Sequence, residues 1–466
     1  MAAPTFACRG SSGDGVPLIS ALIARIRGNP GLLAGFLAQA LQYGAGLMLM
    51  PFVVSRLTPA QVGIWYVFLA AQSLAAVADF GFQPTLARFF ALARSGAQEI
   101  TRHGLGKTGN GEPNIPLTRA LLGAARKLYL ALAGGIFLLL AVFGTLYIAE
   151  LSRKGGLPVQ QICGAWLIFA LAIAANLYFL WIPAFLLGSG RVVQNYAFLI
   201  LSRGGFALFG IIIIVAGGRL TGLAIGFLAS QLAARAVAWF LLRNTVAAHS
   251  RSWNSAETRP VLSAIWPNSS RLGLVGIGAF LISRYNVFLI SSSLGLATSA
   301  QYAICLQILN GIASVAQLPA QARLSDIVNA RVGPDNSNLR KLVISSWAFY
   351  WFLFLCSSIF VIAFASPALA HIGSKVSILQ TSTFAMLAMV VALEGFHSLN
   401  GFIITTRNAV PFVLPALLSG VGVAISASLA VHFGYGVTGV ILCQGMVQIA
   451  YNNWKWPFMV YQEIKK

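Results

Sequence analysis

An all-α membrane protein of about twelve transmembrane helices is the fold this sequence predicts, and three observations predict it. Mean hydropathy is +0.80 over the 466 residues, with 58% apolar and only 9% charged side chains, a balance that no soluble globular domain carries. Apolar runs of about 20 residues recur from end to end, each long enough to cross about 30 Å of hydrocarbon as a helix. The cations are distributed unevenly between alternate loops, as a spanning chain requires.

The runs place spans at 31–54, 61–85, 128–149, 161–188, 196–217 and 220–242 in the first half. The second half gives 264–292, 300–320, 343–365, 378–400, 409–431 and 436–457. Residues 1–30 read as a flexible cytoplasmic tail, since the apolar stretch from Val16 to Ile26 is interrupted by Pro17, Ser20 and Arg25 and no cleavage site follows. Two six-helix lobes follow, 31–242 and 264–457, joined by a cytoplasmic linker at 243–263, with a short tail at 458–466. Pro51, Pro183, Pro319 and Pro415 fall inside spans and predict kinks or breaks.

With the N-terminus inside, the great majority of the 31 Lys and Arg lie in inner segments. Only Arg56, Arg153, Lys154, Arg219 and Lys375 fall in outer ones. That asymmetry puts both termini in the cytoplasm. It also accounts for most of the net charge of +21 without a nucleic-acid partner, because inner loops face an anionic leaflet. The basic segment 94–127 reads as a solvated loop or surface helix. Five scattered cysteines form neither a disulfide framework nor a CxxC metal site, and no cofactor is called for.

Four arginines remain: Arg203, Arg235, Arg271 and Arg284 lie within apolar runs. A charge at the bilayer centre costs about 2.5–3.5 kcal/mol on insertion scales, so such residues face a bundle interior or a wet cavity. Arg284 is the deepest, about 20 residues into its span, or roughly 30 Å from the inner surface at 1.5 Å per residue. The other three lie about seven residues, roughly 10 Å, from an inner boundary, where a guanidinium can also snorkel to the headgroups. Arg88 is a further candidate, with an inner-surface cation as its alternative reading. A cavity lined by these residues would bind an anion.

Acidic residues at membrane depth are few. Glu394 and His397 are three residues apart, and so share a helix face, in the apolar stretch from Val390. With Asp79 they are the candidates for ion or proton coupling; a structural ion pair, a packed histidine and a helix cap are the respective alternatives. Gln39, Gln42, Gln72, Asn176, Gln307 and Asn310 could line a cavity for sugar hydroxyls or could bond helix to helix.

A short internal repeat joins the halves: Leu57-Thr58-Pro59-Ala60-Gln61-Val62-Gly63-Ile64-Trp65 precedes the second span, and Leu294-Gly295-Leu296-Ala297-Thr298-Ser299-Ala300-Gln301-Tyr302 the eighth. Six spans separate them, so the halves share one orientation, the parallel-repeat plan that puts a site between lobes.

The first of these stretches, with Ala78-Asp79-Phe80-Gly81-Phe82, Thr85-Leu86-Ala87-Arg88 and the Leu294-Gly295…Gln301-Tyr302-Ala303 segment, resembles Wzx-type polysaccharide flippases of the MATE-like MOP superfamily. The resemblance implies two lobes around a central cationic cavity, alternating access, and a bacterial inner-membrane protein. The implied cargo is an undecaprenyl-diphosphate-linked oligosaccharide on its way to surface polysaccharide. Other polysaccharide-assembly membrane proteins are implied partners, besides membrane lipid. Many relatives carry an acidic residue where Asn286 follows Arg284-Tyr285 here, so an acidic role at that position does not carry over.

Arginine suits a diphosphate because its planar fork gives bidentate hydrogen bonds and stays protonated. A secondary transporter of another anion fits the same residues. A glycan polymerase or ligase fits less well: the outer loops are short, with Glu150 their one acidic residue, and no nucleophile motif or Walker loop is present.

Overall fold

A computed structural model describes residues 30–98, 111–249, 255–332, 337–407 and 411–465. The tail up to residue 29, residues 99–110 of the basic segment and residues 250–254 of the linker lie outside the described residues. All described elements are helical. The N-lobe holds α1 (Pro30–Arg56), α2 (Pro59–Ala78), α3 (Phe82–Arg94), α4 (Ile115–Leu139), α5 (Thr145–Lys154), α6 (Val159–Tyr178), α7 (Trp181–Gly188), α8 (Val192–Val215) and α9 (Arg219–His249). The C-lobe holds α10 (Ser255–Ser283), α11 (Tyr285–Ser293), α12 (Leu296–Ala322), α13 (Leu324–Val332), α14 (Ser337–His371), α15 (Thr381–Thr405), α16 (Val413–His432), α17 (Gly436–Ala450) and α18 (Asn452–Lys465).

Among the described residues, 11 helical segments are long and apolar enough to cross a membrane, against the twelve expected. The twelfth, 436–457, is broken at Tyr451 (φ −145°) into α17, of 15 residues, and α18. Asn452 fixes the break: its Nδ2 donates to Ser419 Oγ at 2.9 Å and to Gln448 Oε1 at 2.8 Å, and its Oδ1 accepts the Trp456 indole N–H at 3.1 Å.

Local chemistry sets the other ends. Thr58 caps α2 in a reciprocal box with Gln61, with Pro59 as the first helical residue. Asn114 caps α4 well before the expected start of that span, accepting from the Leu117 N–H at 3.0 Å. Of the four prolines, Pro183 breaks its span. Its missing N–H would have served the Phe179 carbonyl, and the chain leaves the helix at Phe179 and Leu180, between α6 and α7. Pro51 and Pro319 stay inside continuous helices. Pro415 falls in the first turn of α16, where no intrahelical donor is lost. One break was not expected: the seventh span divides at Arg284, between α10 and α11.

The two repeat stretches meet in space. Helix α2 packs along α12, and a Cβ on Gly63 would overlap the Leu296 backbone carbonyl. Only glycine lets the two backbones approach so closely. Val62 and Ile64 are fully buried on either side. This contact shuts one end of the space between the lobes. The Lys375 N–H reinforces it by donating to the Val54 carbonyl at 2.9 Å, from the loop after α14 to the end of α1.

Candidate functional site

Between the lobes lies a cavity of about 580 Å³, within the range of ligand pockets. It runs from Tyr66 and Gln307, near the shut end, to Gln83, Leu187 and Asn195 at the opposite ends of their helices. The Tyr66 hydroxyl donates to Gln307 Oε1 at 2.6 Å and joins the lobes at the apex.

Three of the expected arginines line this cavity: Arg203 on α8, Arg235 on α9, and Arg284 at the α10/α11 break. Two come from the N-lobe and one from the C-lobe. No Asp or Glu is among the described lining residues. Arg235 is only 5% exposed, and neutral groups hold it. Its Nη1 donates to Gln231 Oε1 and its Nη2 to Asn176 Oδ1, both at 2.6 Å. The guanidinium carbon lies 4.9 Å from the Phe198 ring centroid, a cation–π distance. Its Nε has no partner. Arg203 Nη1 donates to Gln42 Oε1 at 2.8 Å and to the Ala38 carbonyl at 3.3 Å, so it points across to α1. Arg88 is exposed and not among the lining residues. The Arg271 side chain lies outside the described residues.

Of the expected carboxamides, Gln42, Gln72, Asn176, Gln307 and Asn310 line the cavity. Gln39 instead bonds across the lobes, its Nε2 lying 3.4 Å from Gln321 Oε1. Gln231 and Asn195 were not expected at the site. Gln231 carried a usable signal, since it lies four residues before Arg235 and one helical turn brings the two together.

The three coupling candidates do not form one cluster, and none is among the lining residues. Asp79 sits at the α2/α3 break, where Phe80 (φ 49°) and Gly81 (φ 71°) reverse the backbone. Its Oδ1 accepts the Tyr129 hydroxyl at 2.6 Å, and its Oδ2 accepts the Gln83 N–H at 3.4 Å. Glu394 Oε1 accepts from Gln444 Nε2 at 2.8 Å, and Gln444 Oε1 accepts from Asn286 Nδ2 at 2.7 Å. That chain of amides leads from α15 through α17 to α11, two residues beyond Arg284. His397 Nδ1 lies 2.8 Å from Asn453 Oδ1. Outside the spans, Arg331 pairs with Glu463 at 3.0 Å. Burial lowers the pKa of this guanidinium, and the carboxylate pulls it back up.

Neither a comparison with protein-family models nor one with curated proteins gives a match. Solved structures do. An inward-facing multidrug resistance MATE family transporter of the MOP superfamily superimposes with a TM-score of 0.63 at 17% identity, over 93% of this chain and 99% of that one. The fold is that of a MATE transporter. An outward-facing MATE transporter gives 0.50 at 15% identity, over 95% of this chain and 99% of the other. A MATE structure in a bent conformation gives 0.52 at 16% identity, over 96% of each. The protein is accordingly a multi-pass membrane protein with a transporter's fold, and its neighbours in structure are transporters rather than enzymes.

Proposed function

We propose that this protein is a flippase for polyprenyl-diphosphate-linked oligosaccharide, carrying repeat units across the bacterial inner membrane for surface polysaccharide, with both termini in the cytoplasm. One observation carries the reading: arginines from both lobes converge on a cavity whose described lining has carboxamides and no carboxylate. An anionic head is thereby favoured over a cation, and the neutral amides offer donors and acceptors to sugar hydroxyls. Bringing a diphosphate through hydrocarbon unaided is prohibited by desolvation; guanidinium forks replace its water with bidentate hydrogen bonds. The lipid tail can stay in the bilayer while the head crosses.

With one end shut by α2 against α12, the cargo head would enter from the other end and meet Arg235 and Arg203 on the N-lobe wall. It would reach Arg284 near the apex. An anion between Arg284 and the N-lobe arginines would bridge the lobes, and their rocking would expose it on the far side.

The test is deletion of the gene in its host, with lipid-linked glycans and surface polymer analysed together. Loss of the polymer, with complete repeat units held on their carrier at the inner face, is the expected result. Complementation by Arg284→Ala is expected to fail at normal membrane abundance. Units that reach the outer face unpolymerised would point to an enzyme, and an unchanged glycan profile to a transporter of another anion.

A further inference from the structure

Helix α4 does not run smoothly into α5. Leu140–Gly144 form a π-helical segment between them, in which bonds reach one residue further and an extra residue enters the turn. The Trp166 indole N–H, from α6, donates to the Leu140 carbonyl at 3.0 Å. Gly144 makes room for that ring, because a Cβ there would overlap Trp166. Trp166 is itself 1% exposed, so the segment is fixed from within the lobe.

Each residue turns an α-helix by about 100°, so one inserted residue rotates everything after it by that amount. The residue it aims is Tyr147. Its hydroxyl leaves the N-lobe and donates to the Phe288 carbonyl of α11 at 2.8 Å, with Ser291 Oγ 3.1 Å away. The Tyr147 and Phe288 ring centroids are 5.9 Å apart. Without the insertion, Tyr147 would take the direction in which Leu146, 66% exposed, now faces lipid.

Beside it, this end is closed by close packing of Gly63 on Leu296 and a backbone bond from Lys375, neither of them a side-chain hydrogen bond. The Tyr66–Gln307 bond also joins the lobes, but deeper, at the apex of the cavity. We propose that Tyr147 is the latch that holds this end of the transporter shut, and that the π turn and Trp166 are the parts that aim it. The latch acts on the two lobes themselves and does not rest on the identity of the cargo.

Spin labels read it directly. In a variant whose five cysteines are replaced, Gln160→Cys on α6 and His432→Cys at the end of α16 place one exposed label on each lobe at the shut end. Distances are measured by pulsed electron paramagnetic resonance in lipid nanodiscs without cargo, with a thermal midpoint for every variant. The parent is expected to show mainly the short distance. Tyr147→Phe is expected to raise the longer-distance population about fivefold, the factor that one net hydrogen bond is worth. Deletion of Val142 should do the same, and adding Tyr147→Phe to the deletion should change nothing further. Should the deletion fail to insert, Trp166→Phe removes the indole donor and takes its place. A Tyr147→Phe distribution that overlays the parent, whatever its midpoint does, overturns the proposal.

Discussion

Arg235 shows how much one buried cation can say. Its hydrogen-bond partners, Gln231, Asn176 and Ser202, are all neutral, and an arginine so enclosed is expensive unless an anion completes it. Arg235→Met keeps the length and removes the charge. Inorganic pyrophosphate, titrated against the purified protein by thermal shift, should bind at least tenfold more weakly to this variant, since hydrogen bonds to charged groups are each worth about 1.5–3 kcal/mol. Equal affinity would take Arg235 out of the anion site. Glu394 has a different setting, outside the cavity but joined through Gln444 to Asn286 near Arg284. If its carboxyl carries the coupling proton, Glu394→Gln should flatten the pH dependence of transport in proteoliposomes while leaving pyrophosphate binding intact. An unchanged profile would assign the coupling elsewhere. Of the remaining candidates, Asp79 serves the α2/α3 turn and Tyr129, in keeping with its alternative reading as a helix cap.

Among elements, α2 and α12 meet where the space between the lobes is shut. Their contact depends on Gly63 lying against the Leu296 carbonyl, and a Val side chain there cannot be accommodated without separating the helices. Gly63→Val should therefore hold the shut end open. Ala303, a cavity-lining residue on α12 only 3% exposed, provides the reporter: Ala303→Cys should react with a membrane-impermeant thiol reagent from the far side only when Gly63→Val is also present. No gain in labelling would show that this contact is not the gate. The broken helices belong to the same scale. The expected kink at Pro183 is a full break, while Arg284 sits at a break that no proline or glycine marks. The divided helix sets a cavity cation beside loosened backbone, as discontinuous transporter helices do.

At the scale of the whole molecule, the cation asymmetry makes a prediction about orientation. Single cysteines introduced at Gly156, in the α5/α6 loop, and at Asn338, at the start of α14, should label from opposite sides of intact cells. Gly156→Cys should be accessible from outside and Asn338→Cys only after the membrane is opened. The reverse pattern would invert the chain and with it the direction of transport.

The sequence alone determined that this chain is an all-α membrane bundle with apolar spans and a few costly charges among them. Hydrophobic length and loop charge are local quantities, read one segment at a time. It also picked out Arg203, Arg235 and Arg284, because a cation within an apolar run stands out whatever surrounds it. Tertiary structure decided which carboxamides turn inward, because glutamine and asparagine serve a cavity and a helix contact equally well until neighbours are known. It placed Arg88 outside the cavity, gave Glu394 its amide chain, and brought the two repeat stretches against each other. It alone revealed the turn that aims Tyr147, because a one-residue insertion in a helix leaves hydropathy unchanged while rotating every later side chain by about 100°.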